Sequence, residues 1–275
     1  MLFENIDLGI LHTDEKMRLY HTMRSSWFFS SGTTVPKPEC RFSIEKQAIT
    51  SDHPYCNKCD VFGEYLVYAF YGRPAFKWKI EGTPNEPYPI FFVFHDNDTV
   101  KPSRIFPFDS GAFHCKRYGS AYSSSVLEDY ALALPTRGVS PEKIPALVQA
   151  IWGSAQAYYH GNIPKGSKKL TDSTSVPLSA FDREYLSFIY SGFYNEADSR
   201  AFTIEYSYND SLPLDSLERV YLPSSINLDI VEDLYNKLTA ACGHDILIMN
   251  IPCLDGVDPF LNVYNIEGRR LFSWR

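Results

Sequence analysis

Two hydrophobic periods run through the chain. Leu66-Val67-Tyr68-Ala69-Phe70-Tyr71 is an unbroken apolar and aromatic run that stops at Gly72-Arg73-Pro74, and Pro89 to Phe94 is a second. Short continuous runs bounded by turn residues predict strands covered on both faces. Phe202 to Tyr208 alternates instead, with Phe202, Ile204, Tyr206 and Tyr208 on one side and Thr203, Glu205 and Ser207 on the other. Arg219–Leu222 and Asp245–Ile251 predict two more strands, and a hairpin through Glu267-Gly268 is predicted to close the chain. Helical spacing appears twice. Over 140–159, Ile144, Leu147, Val148, Ile151 and Ala155 form one stripe behind a Ser140-Pro141-Glu142 start. Over 229–241 the stripe is Ile230, Val231, Leu234, Leu238 and Ala241, with Gly243 at the C-cap. Ser43–Ile49 predicts a short helix inside a polar 33–62 segment, and 161–179 is the longest predicted loop. Strands and helices mix without a βαβ rhythm, which favours an α+β fold in one domain spanning 1–275.

Composition changes this picture little. The 44% apolar and 21% charged content is that of an ordinary globular protein. Aromatic residues are abundant, at 19 Phe, 19 Tyr and 4 Trp, and part of them must fill core. No apolar run reaches the length of a membrane span, and no basic start precedes an apolar stretch, so a soluble cytoplasmic protein without a membrane partner is expected. A net charge of −7 argues against general duplex binding, although Lys165, Lys168 and Lys169 cluster in one loop.

Cysteine spacing adds a metal candidate. Cys56-Asn57-Lys58-Cys59 has the gap of a zinc knuckle, and Cys40 and His53 lie close by. Together Cys40, His53, Cys56 and Cys59 could hold one structural zinc; the alternative is a polar loop of reduced thiols.

Three segments carry candidate chemistry. Arg73, delivered at a strand end beside Tyr71 and Phe76, suits a ligand with phosphates and a flat ring, or else pins its own turn by bonding carbonyls. His21, in Leu19-Tyr20-His21-Thr22, is either a site residue or a core-edge histidine bonded to backbone. Glu205 is either a solvent-facing strand carboxylate or part of a site. Asp109, in Phe106-Pro107-Phe108-Asp109-Ser110-Gly111, is a turn acid near a serine without the Gly-x-Ser-x-Gly pattern of a hydrolase elbow. Neither a Gly-x-Gly-x-x-Gly nor a Walker loop is present.

The order of these segments resembles the ADP-ribosyltransferase fold, and among its members the DarT-type toxins that modify DNA bases. The resemblance covers residues 17–222. Tyr20-His21-Thr22 is similar to the family's Tyr-His-x-Thr strand, one residue shorter. Tyr68 through Phe76, Gly82 and Ile90–Phe94 resemble its aromatic-Arg-Pro strand, small-residue turn and second apolar strand. Arg200 through Glu205 is similar to its late strand glutamate after a basic residue. The family's helix-borne arginine has only Lys46 nearby, and the cysteine-rich insert and Phe106–Phe113 lie outside its pattern.

The resemblance implies a split, mixed β-sheet with peripheral helices, 223–275 being a C-terminal extension. It implies cleavage of NAD, with Glu205 stabilising the cationic ribose. His21, a catalytic candidate beside Glu205, would bond the adenosine ribose or the nicotinamide amide. Tyr20 and Thr22 would contact the nucleotide, Arg73 the pyrophosphate, and Tyr71 and Phe76 the nicotinamide ring. The ADP-ribose acceptor could be a nucleic-acid base, a protein or water, in a toxin or antiviral defence effector. Two other classes remain open, a nucleotide-binding sensor without turnover and a zinc-stapled protein-interaction domain.

Overall fold

The computed structural model describes residues 3, 17–24, 42–43, 48–50, 58–75, 89–96, 101–135, 141–163, 170, 178–191, 199–209, 211–224, 226–251 and 259–272. Its fold is mixed α+β. The strands are β1 (Arg18–Arg24), β2 (Phe42–Ser43), β3 (Ala48–Thr50), β4 (Leu66–Tyr71), β5 (Pro89–His95), β6 (Arg104–Phe106), β7 (Glu205–Asn209), β8 (Ser211–Pro213), β9 (Leu217–Pro223) and β10 (Leu247–Ile251). A seven-stranded, mainly antiparallel sheet has the order β10-β9-β5-β1-β4-β7-β6, and β2-β3-β8 form a small second sheet. The helices are α1 (Ser110–His114), α2 (Ile144–Trp152), α3 (Ala155–His160), α4 (Ala180–Ser191), α5 (Leu228–Cys242) and α6 (Pro259–Leu271). No helix among the described residues is long and apolar enough to cross a membrane.

The described residues fall into two compact units. The first draws on Phe70–Ala75 and the described part of Lys101–Ser207, with Phe3 and Met17. Its core is aromatic: Tyr71, Tyr130, Trp152, Tyr158, Tyr159, Tyr185 and Tyr206 are among its fully buried side chains. Phe108 lies 5.0–5.9 Å from the rings of Phe113, Tyr118, Tyr122 and Tyr130, edge-on and offset geometries that add to simple burial. Helical spacing across 140–159 resolves into two helices. The predicted stripe is buried throughout, but Gly153 turns left-handed at φ +79° and the Ser154 hydroxyl accepts from Ala157 N–H at 3.0 Å to start α3. α4 starts with a capping box absent from the sequence reading. Ser179 Oγ accepts from Asp182 N–H at 3.0 Å, and Asp182 accepts from Ser179 N–H at 2.8 Å.

The second unit draws on the described parts of Arg18–Ala69, Phe76–Val100 and Tyr208–Arg275. β5 is its central strand, with Ile90 through Phe94 wholly buried as the continuous apolar run requires. β1 pairs antiparallel with it, Tyr20 opposite Val93 and His21 opposite Phe92. β9, α5 and β10 make a crossover that leaves β10 parallel to β9, with Leu234 and Leu238 as the buried side of α5.

Two local expectations fail. The helix expected over Ser43–Ile49 is overturned at both described ends, since Phe42–Ser43 and Ala48–Thr50 pair antiparallel and β3 pairs onward to β8, residues 44–47 lying outside the described residues. The β-branched and aromatic residues there find strand partners that local propensity does not reveal. Glu267-Gly268 is not a hairpin turn but lies inside α6. Val263 and Ile266 pack against Tyr20, Phe91, Val93, Tyr221 and Ile251, and Glu267 sits on the same buried side. A charge within the stripe hid the helical period.

Candidate functional site

In the first unit, β4 ends by delivering Gly72 and Arg73. Gly72 takes φ +80°, and a Cβ there would stand 2.6 Å from the Tyr158 ring and 2.8 Å from the Met17 sulfur, so the turn requires glycine. Tyr158 ties three segments together. Its hydroxyl donates to the Tyr71 carbonyl at 2.8 Å and accepts from Ile204 N–H at 2.9 Å, and burial pushes its phenol far above the usual range. Arg73 is 5% exposed, lies over the Phe202 ring at 4.5 Å and donates to the Tyr158 carbonyl at 3.3 Å. The carbonyl it bonds belongs to α3 and not to its own 72–76 turn. Tyr71 is a core ring, stacked on Tyr206 with centroids 5.6 Å apart. Phe76 lies outside the described residues.

Glu205 stands in the same unit. It opens β7 opposite Phe106 of β6, and the chain leaving β6 turns at once into α1. That turn brings Asp109 and Ser110 to the carboxyl. The Ser110 N–H donates to Glu205 Oε2 at 3.3 Å. Asp109 caps α1, accepting from Ala112 N–H at 2.7 Å, and its other oxygen pairs with Arg200 at 3.4 Å. The Asp109 N–H donates in turn to the Arg200 carbonyl at 3.1 Å.

The alternation across Phe202–Tyr208 is present, but both faces are interior. Thr203, Glu205 and Ser207 are 0%, 3% and 0% exposed. Glu205 is therefore not a solvent-facing carboxylate. Burial first, and the Asp109 charge second, push its carboxyl well above the usual carboxylate range, opposed by the Ser110 hydroxyl and N–H. Its Oε1 has no hydrogen-bond partner among the described residues.

Tyr20, His21 and Thr22 lie on β1 in the second unit. Tyr20 is fully buried and its hydroxyl donates to Glu267 at 2.9 Å. His21 is 4% exposed, with Nδ1 2.6 Å from the Tyr68 carbonyl. Facing a carbonyl, Nδ1 is the donor of that bond. Thr22 is half-buried, and its Oγ1 has no partner among the described residues.

Of the zinc candidates, Cys40, His53 and Cys56 lie outside the described residues. Cys59 is a free thiol that accepts from the Tyr68 hydroxyl at 2.6 Å, and no metal-holding group of His, Cys, Asp or Glu occurs among the described residues.

The sequence alone did not connect Asp109 and Ser110 to Glu205, and it linked Arg200 to Glu205 only as a basic residue ahead of it in the chain. Ser110 and Glu205 are 95 positions apart, and no spacing rule links a turn acid to a distant strand. The usable signals were the acid-serine turn directly after a strand and the basic residue before Glu205. Comparison with protein-family models, curated proteins and solved structures gives no match.

Proposed function

We propose that the chain is an ADP-ribosyltransferase-like enzyme, with the split sheet of that fold, that cleaves the nicotinamide–ribose bond of NAD and passes ADP-ribose to an acceptor or to water. The observation that carries this reading is the state of Glu205, an interior carboxyl with a long hydrogen bond from the Ser110 N–H, an oxygen without a partner among the described residues and a second carboxyl beside it. Such a group weakens the fold, and strongly perturbed carboxyls of this kind concentrate where charge develops during a reaction. Breaking the bond from C1′ to the pyridinium nitrogen leaves positive charge on the ribose. A carboxylate held against that carbon stabilises the cation, and the substrate's own positive charge draws Glu205 into its ionised form.

The experiment is incubation of purified protein with NAD, with nicotinamide followed by chromatography. Glu205→Gln keeps the shape and removes the charge, so the rate should fall about 10²–10³-fold. Because burial and Asp109 raise the Glu205 pKa, kcat/KM should climb with pH through a midpoint above the usual carboxylate range and then level off. Parental turnover in Glu205→Gln would overturn the assignment. Absence of nicotinamide release with water, nucleic-acid and protein acceptors alike would leave the nucleotide-sensing module as the better reading.

A further inference from the structure

The two carboxyls of this site have unlike surroundings. Asp109 has the partners of a carboxylate, Arg200 at 3.4 Å and Ala112 N–H at 2.7 Å. Among the described residues Glu205 has the Ser110 N–H at 3.3 Å with the Ser110 hydroxyl nearby, and its Oε1 has no partner. Two further hydroxyls are buried nearby, one on the turn that meets Glu205 and one on its own strand. Ser110 and Ser207 are 1% and 0% exposed, and neither hydroxyl reaches hydrogen-bond geometry with any described residue. The Ser110 hydroxyl is close enough to lower the Glu205 pKa, and Ser207, two residues along β7, shares the Glu205 face. Native interiors leave few such atoms. Buried polar atoms without a partner among the described residues are where a polar guest, of which water is the smallest, finds hydrogen bonds to make.

We infer that Asp109 is a second catalytic carboxylate, the base that takes a proton from a water molecule attacking C1′ of the NAD ribose. The inference rests on the reading of Glu205 given above. The water oxygen bonds to C1′ as the C1′–N bond breaks. That bond's electron pair leaves on the pyridinium nitrogen, which gives neutral nicotinamide. The water proton passes to Asp109 and then to solvent. Glu205 faces the cationic sugar and Asp109 the incoming water, a division that two carboxyls in unlike surroundings permit. Among the described residues, the charged and titratable groups around the pair include Arg200, in the short turn before β7, and Tyr118, whose hydroxyl donates to the Asp109 and Arg200 carbonyls at 3.3 Å.

Asp109→Asn is the test, because asparagine also caps helices and keeps the start of α1; Asp109→Ser, another capping residue, serves if Asn fails to fold. NAD is supplied with water alone and then with azide, an anionic nucleophile that has no proton to lose. The parent should release nicotinamide in water, and Asp109→Asn should be about 10²–10⁴-fold slower. Azide should restore release in Asp109→Asn, yielding the ribosyl azide, and should not restore Glu205→Gln. A carbon-13 titration should show the Glu205 midpoint moving down in Asp109→Asn, since a negative neighbour has gone. Parental rates in Asp109→Asn, or a slow variant that azide leaves slow, overturn the role of Asp109 while the reading of Glu205 stands. Nicotinamide release by the parent only with an added macromolecular acceptor overturns the water assignment alone. A parent inactive under all conditions removes both.

Discussion

Glu267 and Glu205 are glutamates with almost no exposure, 0% and 3%, one in each unit, and their surroundings are opposite. Glu267 accepts from the Tyr20 hydroxyl at 2.9 Å and from the Tyr221 hydroxyl, and Arg219 Nε lies 2.9 Å away. Arg219 also reaches Glu218 at 2.6 Å, and Glu218 accepts from Arg18 at 2.7 Å. This carboxylate closes a network that joins β1, β9 and α6, and its charge helps push the Tyr221 phenol up. Glu205 has one backbone N–H at 3.3 Å. Equal burial thus supports opposite roles. A buried carboxyl held by several hydroxyls and a guanidinium fixes a structure, whereas one left with an open oxygen weakens it and is kept for what binds there.

The largest expected effect lies on the satisfied side. Glu267→Ala removes the acceptor of two buried hydroxyls and one of the partners of Arg219, which is itself 3% exposed. Removing one member of a buried ion pair typically costs about 3–5 kcal/mol, and urea denaturation should show a loss of that order. A loss below about 1 kcal/mol would mean the network contributes little, and the contrast with Glu205 would fail.

The sequence revealed these two carboxylates unequally. Glu205 was visible because clean alternation put it on the polar side of a strand, but alternation gives the face and not its burial. Thr203 and Ser207, small and polar, read as solvent-facing while being fully buried. Glu267 was invisible because it interrupts the Val263–Ile266 stripe, and its Gly268 neighbour mimics a turn. Strands β4 and β5 were legible from continuous apolar runs, since runs buried on both faces need no knowledge of partners, whereas β10 was legible although it is a largely exposed edge strand. Asp109 and Arg200 needed the tertiary contact of β6 with β7, which no local pattern encodes.

The frame that presents Glu205 yields the next effect. Tyr158→Phe deletes one hydroxyl that serves the Tyr71 carbonyl and the Ile204 N–H at once. Leaving buried groups unpaired costs about 1–3 kcal/mol. The loss should appear as a lower urea midpoint with an unchanged slope. If Tyr158→Phe also slows nicotinamide release by far more than it lowers the fraction folded, the segment before β7 positions Glu205 directly. An unaltered midpoint would show that the first unit does not rely on this bond.

The smallest effect separates the two glutamates most cleanly, because it is read as a slope against pH. Burial and Asp109 raise the folded-state pKa of Glu205 above its unfolded value. The folded protein therefore holds this proton where the unfolded chain has released it. The resulting stability is fully present below the unfolded pKa. It is lost as pH rises from there through the folded pKa, at up to about 1.4 kcal/mol per pH unit. Glu205→Gln has no proton to lose, so its stability should match the parent at low pH and exceed it progressively as pH rises across that window. Urea midpoints of both proteins across the acidic to neutral range provide the measurement. Parallel curves would show that Glu205 titrates as an ordinary carboxylate, and the weakness assigned to it in the fold would disappear.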